Sequence, residues 1–366
     1  MKIGILTFHR TPNYGAQLQA YALRKYIESL GHEVHIIDYW PNYRNERSKF
    51  ISFEEMKQMS LRAKIQYLYN KVFTSFRFYK RIHATEEFAR KYLEITDIRD
   101  VDIAVYGSDQ IWRKFNRPNF KEYDSVYFGQ GFVNAKKRIS YAASMGHVYF
   151  KKEDDKSFFL HSMRNFDALS VRETDLQIFL RNEAGINAEK VCDPTLLLSV
   201  RDWKRMVNEN YIPAYKYILY YRLQPLREAD NFVKRLSEEK NLKVIEVRGT
   251  IPPFHYSSRY RFTANAQEFL SLLYGAQYIV SSSFHGVALS LRLNKQFYFI
   301  SAEKSANRAL SLLSDLGLQW RRVLTPLTHD VQSMIDYSQI QEQMNVIVGC
   351  SQTWLQSNLT LPIQTR

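Results

Sequence analysis

The chain has 366 residues and a formal net charge of +14, with 51 lysines and arginines against 37 aspartates and glutamates. This length favours two domains, because single hydrophobic cores stop growing near about 250–300 residues. No apolar run reaches the roughly 18–20 residues that span a bilayer, which excludes an integral membrane protein of the helical kind. Two cysteines are too few for a disulfide framework or a structural zinc site, so we expect two buried thiols.

The first residues, MKIGILTFHR, have a short apolar run and no small-residue cleavage site after it. They are therefore not read as a signal peptide, and we expect a cytoplasmic protein. A basic chain prefers anionic partners, and nucleic acid, an anionic membrane surface and phosphorylated metabolites all qualify.

The first block of the chain alternates strand and helix patterns, which is the order of a parallel sheet. Apolar runs predict strands at 2–8, 33–40, 101–106, 139–143 and 169–171, and three- and four-residue spacing predicts a helix at 16–32.

Residues 41–91 interrupt this pattern with 12 basic residues against 5 acidic ones, half of the net charge of the chain. This segment is aromatic as well as basic and is predicted to be helical. Two interpretations stay open: it lies on an anionic membrane surface at the inner face, or it is an ordinary helical insertion with a solvated basic face.

A second block of the same kind begins near residue 215. Strands are predicted at 216–223, 243–249, 277–283 and 295–301, and helices at 229–239, 267–276, 307–317 and about 340–359. The two blocks predict an α/β fold with two Rossmann-like domains that face each other across a cleft. We expect domains at 1–200 (with the insertion 41–91) and 201–338, a hinge between about 195 and 215, and a C-terminal helix in 339–366 that packs back toward the first domain.

Candidate site residues are the polar residues that follow the predicted strands, because parallel sheets bind ligands at the carboxyl ends of their strands. In the first domain they are Asn13, Tyr14, Gly15, Ser108, Asp109, Gln110 and Arg172; in the second they are Ser283, His285, Gly286, Asn307 and Arg308. Structural interpretations stay open for several: Asn13 caps a helix, Gly15 eases a turn, and the arginines are ordinary surface residues.

His285 differs in its position, because it opens a helix directly after a strand, where backbone N–H groups favour an anion. Arginines such as Arg172 and Arg308 suit bidentate contacts to a carboxylate or phosphate. Since ligand-site residues on loops do not build the core, we expect folding to survive their replacement.

No metal site is expected, because the D-x-D pair Asp100 and Asp102 lies at the start of a strand. The chain has no P-loop, CxxC, HExxH or GxSxG motif.

Seven blocks of sequence together carry a resemblance to a known family. They are NYGAQLQAYALRKYIESLGHEVHIIDY at 13–39, GSDQIW at 107–112, SYAASMG at 140–146, SVRE at 170–173, CDPTLLL at 192–198, SSSFHGVALSLRL at 281–293 and NRALSLLSDLGL at 307–318. In this order the chain resembles the polysaccharide pyruvyl transferase family over nearly all of its length except 41–91.

The resemblance implies a GT-B-like architecture and transfer of pyruvate from phosphoenolpyruvate onto two sugar hydroxyls, which forms a ketal on a surface polysaccharide or its lipid-linked precursor. The functional histidine and arginine of the family match His285 and Arg172, and a basic residue matches Arg308 less securely. We expect Arg308, Asn307, Ser283 and Gly286 to bind the donor. No cofactor is implied beyond the co-substrate.

The first-domain turns, Asn13–Gly15 and Ser108–Gln110, would then face the sugar acceptor. Two alternatives stay open. One is a GT-B glycosyltransferase that uses a nucleotide sugar. The other is a non-catalytic protein that binds sugar or nucleic acid, although the basic residues belong to no recognised nucleic-acid module.

Overall fold

The computed structural model of the chain describes residues 1–361 except 42, 44–55, 58, 118, 250–259, 262–263 and 302. Its strands are β1 (Lys2–Leu6), β2 (Glu33–Ile37), β3 (Ile95–Thr96), β4 (Asp100–Tyr106), β5 (Asn134–Ser140), β6 (Ser170–Val171), β7 (Glu189–Lys190), β8 (Tyr217–Arg222), β9 (Lys243–Arg248), β10 (Tyr260–Arg261), β11 (Tyr278–Ser281) and β12 (Gln296–Phe299).

The α-helices of the same residues are α1 (Tyr14–Ser29), α2 (Leu61–Tyr92), α3 (Glu153–Ser162), α4 (Thr174–Ala184), α5 (Val200–Met206), α6 (Arg227–Lys240), α7 (Ala266–Gly275), α8 (Phe284–Arg292), α9 (Glu303–Asp315) and α10 (Tyr337–Asn358).

The first sheet has the strand order β3-β2-β1-β4-β5, and every neighbouring pair is parallel. β1 and β4 are apolar runs at its centre, where helices cover both faces, and this burial explains their near-continuous hydrophobic sequence. The short pair β6-β7 joins the edge next to β5 through isolated bridges. The predicted strand at 139–143 is displaced: β5 ends at Ser140, and the residues after it form a loop.

The second sheet repeats this design with the order β10-β9-β8-β11-β12, again parallel throughout. In both sheets the chain therefore enters at the centre, builds one side and then crosses to the other. This is the topology of a Rossmann-like domain, which confirms the predicted fold class. The carboxyl end next to the crossover is where such sheets bind ligands.

The two units share an apolar core at their junction. Tyr14, at the start of α1, is 1% exposed and stacks on Phe269 of α7 with ring centroids 5.2 Å apart. Helix α10 returns to the first unit, where Ser351 Oγ accepts a hydrogen bond of 2.8 Å from the Cys192 amide and Gln356 Nε2 donates to the Tyr26 hydroxyl. The exact domain boundaries at 200 and 338 stay a prediction.

Within the predicted insertion, residues 61–92 form the long helix α2, and most of 42–58 lies outside the described residues. The C-terminal part of α2 is anchored by Phe88 and Ala89 in the core. Its N-terminal part is exposed, with Leu61 76% and Ile65 61% exposed. Among the described residues, none of the helices has the length and apolar character needed to cross a membrane.

Candidate active site

The predicted histidine lies where α8 begins. Ser281 ends β11 and His285 is in the first turn of α8, 3% exposed. A side chain at Gly286 would overlap Ser281, so glycine lets the helix start against the end of the strand. The motif SSSFHG is therefore a strand-to-helix junction that holds His285 at the carboxyl edge of the second sheet.

The first domain contacts this histidine directly through Gly15. A Cβ atom at Gly15 would fall on the Cγ and Nδ1 atoms of the His285 ring, far inside van der Waals contact. The glycine thus lets the β1–α1 turn close over the imidazole. The Nε2 atom of His285 is buried and has no hydrogen-bond partner among the residues that the structure describes.

Asp193 is the carboxylate at the centre of the site. Its Oδ2 atom accepts hydrogen bonds from Arg172 Nη1 at 2.6 Å and from Ser108 Oγ at 3.2 Å, and it lies 3.6 Å from His285 Nε2. Its Oδ1 atom accepts from the amide and hydroxyl of Thr195, which fixes the rotamer. Burial alone would raise the pKa of this carboxyl, but His285 and Arg172 hold it well below its usual value.

Arg172 is surrounded by carboxylates and is 5% exposed. Besides Asp193, its Nε donates to Glu173 Oε1 at 3.1 Å, and its Nη2 lies 3.9 Å from Asp109 Oδ1. Burial would lower the pKa of this guanidinium, but the three carboxylates raise it above its usual value. Nη2 itself makes no hydrogen bond within the described part of the chain, so one face of the fork is left for a ligand.

Arg308 and Arg172 both lie near one aromatic ring, that of Phe284. The guanidinium carbons of Arg172 and Arg308 are 4.6 Å and 5.7 Å from the centroid of Phe284. Arg308 forms no ion pair with the residues that the structure describes. Burial, and then the charge of Arg172, lowers the pKa of Arg308. An anion bound between the two arginines would offset the repulsion between their positive charges.

The two arginines, Asp193 and Phe284 line one end of a cavity of about 680 Å³, within the usual range for a small-molecule site. The cavity continues between α9, α10 and β7. This arrangement is a buried charged cluster beside an open cavity, with cationic groups directed into it.

Residues 13–303 match the family model described as polysaccharide pyruvyl transferase. The chain belongs to the polysaccharide pyruvyl transferase family. It is therefore a transferase, as the resemblance implied. A comparison with curated proteins found no match.

Several solved structures are similar in fold at low identity. UDP-GlcNAc 2-epimerase from Neisseria meningitidis has 10% identity and a TM-score of 0.49, and the match covers 98% of this chain and 99% of that one. UDP-GlcNAc 2-epimerase from Methanocaldococcus jannaschii has 11% identity and a TM-score of 0.47, with 95% and 93% covered. The glycosyltransferase SnogD from Streptomyces nogalater has 10% identity and a TM-score of 0.39, with 96% and 95% covered.

In this pyruvyl transferase family member, the predicted acceptor residues have mainly structural contacts. Asn13 caps α1, with Oδ1 accepting from the Gly15 amide at 3.1 Å. Tyr14 is buried in the junction between the domains, so it does not face an open cleft. Ser108 is fully buried and joins the charged cluster through Asp193. Gln110 lies against Gly146, where a side chain would meet it.

Asp109 belongs to the charged cluster as well. It is 6% exposed and adopts a left-handed backbone conformation, with φ of 71°. Burial would raise the pKa of its carboxyl, but His285, Arg172 and Arg308 together lower it. The carboxylate thus stays charged and helps to balance the arginines.

The predicted donor residues differ in how far they are exposed to solvent. Ser283 is buried immediately before α8. Asn307 is exposed, and its Nδ2 atom lies 3.4 Å from His147 Nδ1 of the first domain. The helix that carries Asn307 and Arg308 begins at Glu303, four residues before the predicted start. Arg308 lies within this helix, as predicted, but one turn further from the helix start than expected.

Sequence reasoning assigned no role to three residues at the site: Asp193, Glu173 and Phe284. Glu173 and Phe284 adjoin the predicted Arg172 and His285 in the blocks SVRE and SFHG. Asp193 is the only acidic residue of the apolar block CDPTLLL, and a lone carboxylate in such a run was the available signal. A buried charge needs a partner, so it points to a buried cation.

Proposed function

We propose that this protein is a polysaccharide pyruvyl transferase that uses phosphoenolpyruvate as donor and forms a ketal on two hydroxyls of a sugar. The observation that carries the proposal is the pair of guanidinium groups beside Phe284. Among the described residues, Arg172 Nη2 makes no hydrogen bond and Arg308 has no ion pair. Phosphoenolpyruvate carries a carboxylate and a phosphate, and each suits one guanidinium.

The proposed reaction begins when a proton adds to the methylene carbon of the donor. One sugar hydroxyl oxygen bonds to C2, and the bond between C2 and the phosphate oxygen breaks. A second hydroxyl of the same sugar bonds to C2 and closes the ketal. Of the two hydroxyl protons released, one balances the proton on the new methyl group and the other leaves with phosphate.

His285 is placed to move these protons. Its Nε2 atom lies 3.6 Å from Asp193 Oδ2 and makes no hydrogen bond within the described chain, and its neighbours Asp193 and Phe284 line the cavity. Asp193 stabilises a positive charge on the ring and also orients Arg172. The histidine then serves as general acid or base, or stabilises the departing phosphate.

The test is release of phosphate from labelled phosphoenolpyruvate in the presence of a panel of β-galactosides, with the pyruvylated sugar identified by mass spectrometry. The expected result is release that depends on the acceptor. Transfer from nucleotide sugars instead would favour a glycosyltransferase. Binding of phosphoenolpyruvate with no release for any acceptor would favour a non-catalytic protein, and either result would overturn the proposal.

We also propose that the exposed part of α2 contacts an anionic membrane and brings the enzyme to a lipid-linked acceptor. Leu61, Ile65 and Tyr69 recur every four residues and are all exposed, so one side of the helix is apolar. Residues 56–85 contain no acidic residue. A helix with exposed apolar and aromatic residues among basic ones is typical of a membrane surface.

Vesicle co-sedimentation tests this membrane contact. Binding should need anionic lipid and weaken with salt, because salt screens exposed charges. Ile65→Asp should reduce binding, whereas Leu324→Asp, which changes an exposed leucine after β12, should not. Equal binding to neutral vesicles, or no binding, would leave α2 as a structural insertion.

A further inference from the structure

The cavity at the active site extends well beyond the two arginines. We define the outer groove as the part lined by Glu189, Asp315, Glu342, Gln343, Val346 and Ile347. Four of these residues lie on α10 at spacings of three and four, so they form one face of that helix. Val346 is 59% exposed although it faces the cavity. The outer groove is therefore an open surface continuous with the donor end.

Charge is divided between the two ends of this cavity. The donor end carries Arg172 and Arg308. The outer groove carries the carboxylates of Glu189, Asp315 and Glu342. Lys190 also lines the cavity and is paired with Asp315 at 2.7 Å. An anionic donor is attracted to the first end and repelled by the second. The outer groove is consequently available to a different, uncharged molecule.

The side chains of the outer groove suit a sugar. Carboxylates and the Gln343 amide accept hydrogen bonds from hydroxyl groups, and charged acceptors make the stronger bonds. Val346, Ile347 and Leu312 form an aliphatic wall for the C–H face of a ring. A neutral glycan presents both kinds of surface, whereas an acidic sugar would add a like charge beside Glu189 and Glu342.

The first-domain turns leave little room for the acceptor. Ser108 is fully buried, Asp109 is 6% exposed, and Tyr14 is packed between the domains. The open volume beside the arginines lies instead toward α9 and α10.

We infer that the acceptor binds in the outer groove and that its binding unit is a neutral sugar. The inference rests on the proposed function, which places the donor at the arginines. It moves acceptor recognition from the turns of the first domain to the C-terminal helix.

Val346→Trp tests this inference because the larger ring narrows the groove without touching the donor end. The KM for a neutral β-galactoside should rise by about 10-fold or more. The affinity for phosphoenolpyruvate, measured by calorimetry, should not change. Leu327→Trp is the matched control, since Leu327 is 72% exposed and does not line the cavity. An unchanged acceptor KM in Val346→Trp would overturn the inference and leave the proposed function standing.

Glu342→Lys tests the preference for a neutral sugar. The variant should raise kcat/KM for a galacturonide relative to the corresponding galactoside, because it replaces a negative charge at the groove by a positive one. A loss of packing would lower both values together and leave their ratio unchanged. An unchanged ratio with neither value lowered would count against the assigned sugar class.

Cys350 offers a test that needs no donor chemistry. It is an exposed thiol that lines the cavity, whereas Cys192 lines it but is buried, contrary to the expectation of two buried thiols. A neutral galactoside alone should slow alkylation of Cys350 by iodoacetamide, and Cys192 serves as the internal reference. No protection at saturating sugar would overturn the groove assignment. Protection by sugar in an enzyme that does not bind phosphoenolpyruvate would refute the donor assignment but support the assignment of the outer groove to the acceptor.

Discussion

The variant His285→Ala is expected to lose roughly 10²–10⁴-fold in turnover, which is the usual contribution of a general acid–base group. The reason is geometric, because His285 Nε2 is buried 3.6 Å from Asp193 Oδ2 and makes no hydrogen bond with the residues that the structure describes. Phosphate release under saturating phosphoenolpyruvate and acceptor measures this loss. Donor affinity should change much less, since the proposed donor contacts are those of Arg172 and Arg308.

Two further variants separate chemistry from folding. His161→Ala changes an exposed histidine on α3 and should leave turnover as it is. Gly15→Ala keeps the histidine but adds a methyl group that overlaps its ring, so turnover should fall although every charged group is present. Circular dichroism and urea unfolding show whether each variant is folded. Full activity of His285→Ala, or its failure to fold, would make the histidine structural and refute its assigned chemistry.

The fold was predictable because both sheets bury their central strands on two faces. Burial of this kind requires continuous apolar runs such as those of β1 and β8. The helices between the strands show apolar residues at three- and four-residue spacing instead. The crossover rule for parallel strands then restricts the topology. The start of α9 was not predictable in this way, because Glu303 and Lys304 are polar and give no periodic signal.

The site was only partly predictable. Strand ends indicated His285 and Arg172, since parallel sheets collect ligand groups there. Contacts between the domains could not be predicted from local sequence patterns. Gly15 and His285 are in contact although they follow strands of different sheets. Asp193 was missed for a related reason: its partners Ser108 and Arg172 belong to the same domain but are 85 and 21 residues away in sequence.

Burial of Arg172 also changes what its replacement should do. The expectation that folding survives loss of a loop residue does not extend to this arginine, which is 5% exposed and paired with Asp193 and Glu173. Arg172→Ala leaves those carboxylates without their cation in a buried site. We expect the free energy of unfolding to fall by about 3–5 kcal/mol, measured by urea denaturation. Arg181→Ala, at an exposed arginine on α4, should change it by no more than about 0.5 kcal/mol.

Arg172→Lys distinguishes the binding role of the arginine from its structural role. Lysine keeps a positive charge beside Asp193, so most of the folding stability should remain. An ammonium cannot reproduce the planar fork that reaches Asp193 and Glu173 and still leaves Nη2 free for a ligand. Binding of phosphoenolpyruvate should therefore weaken by about 1.5–3 kcal/mol, the value of a charged hydrogen bond, in calorimetric titrations of the folded variant. Wild-type affinity in Arg172→Lys would mean that Nη2 does not hold the donor, and Arg308 would then be the remaining cation to test.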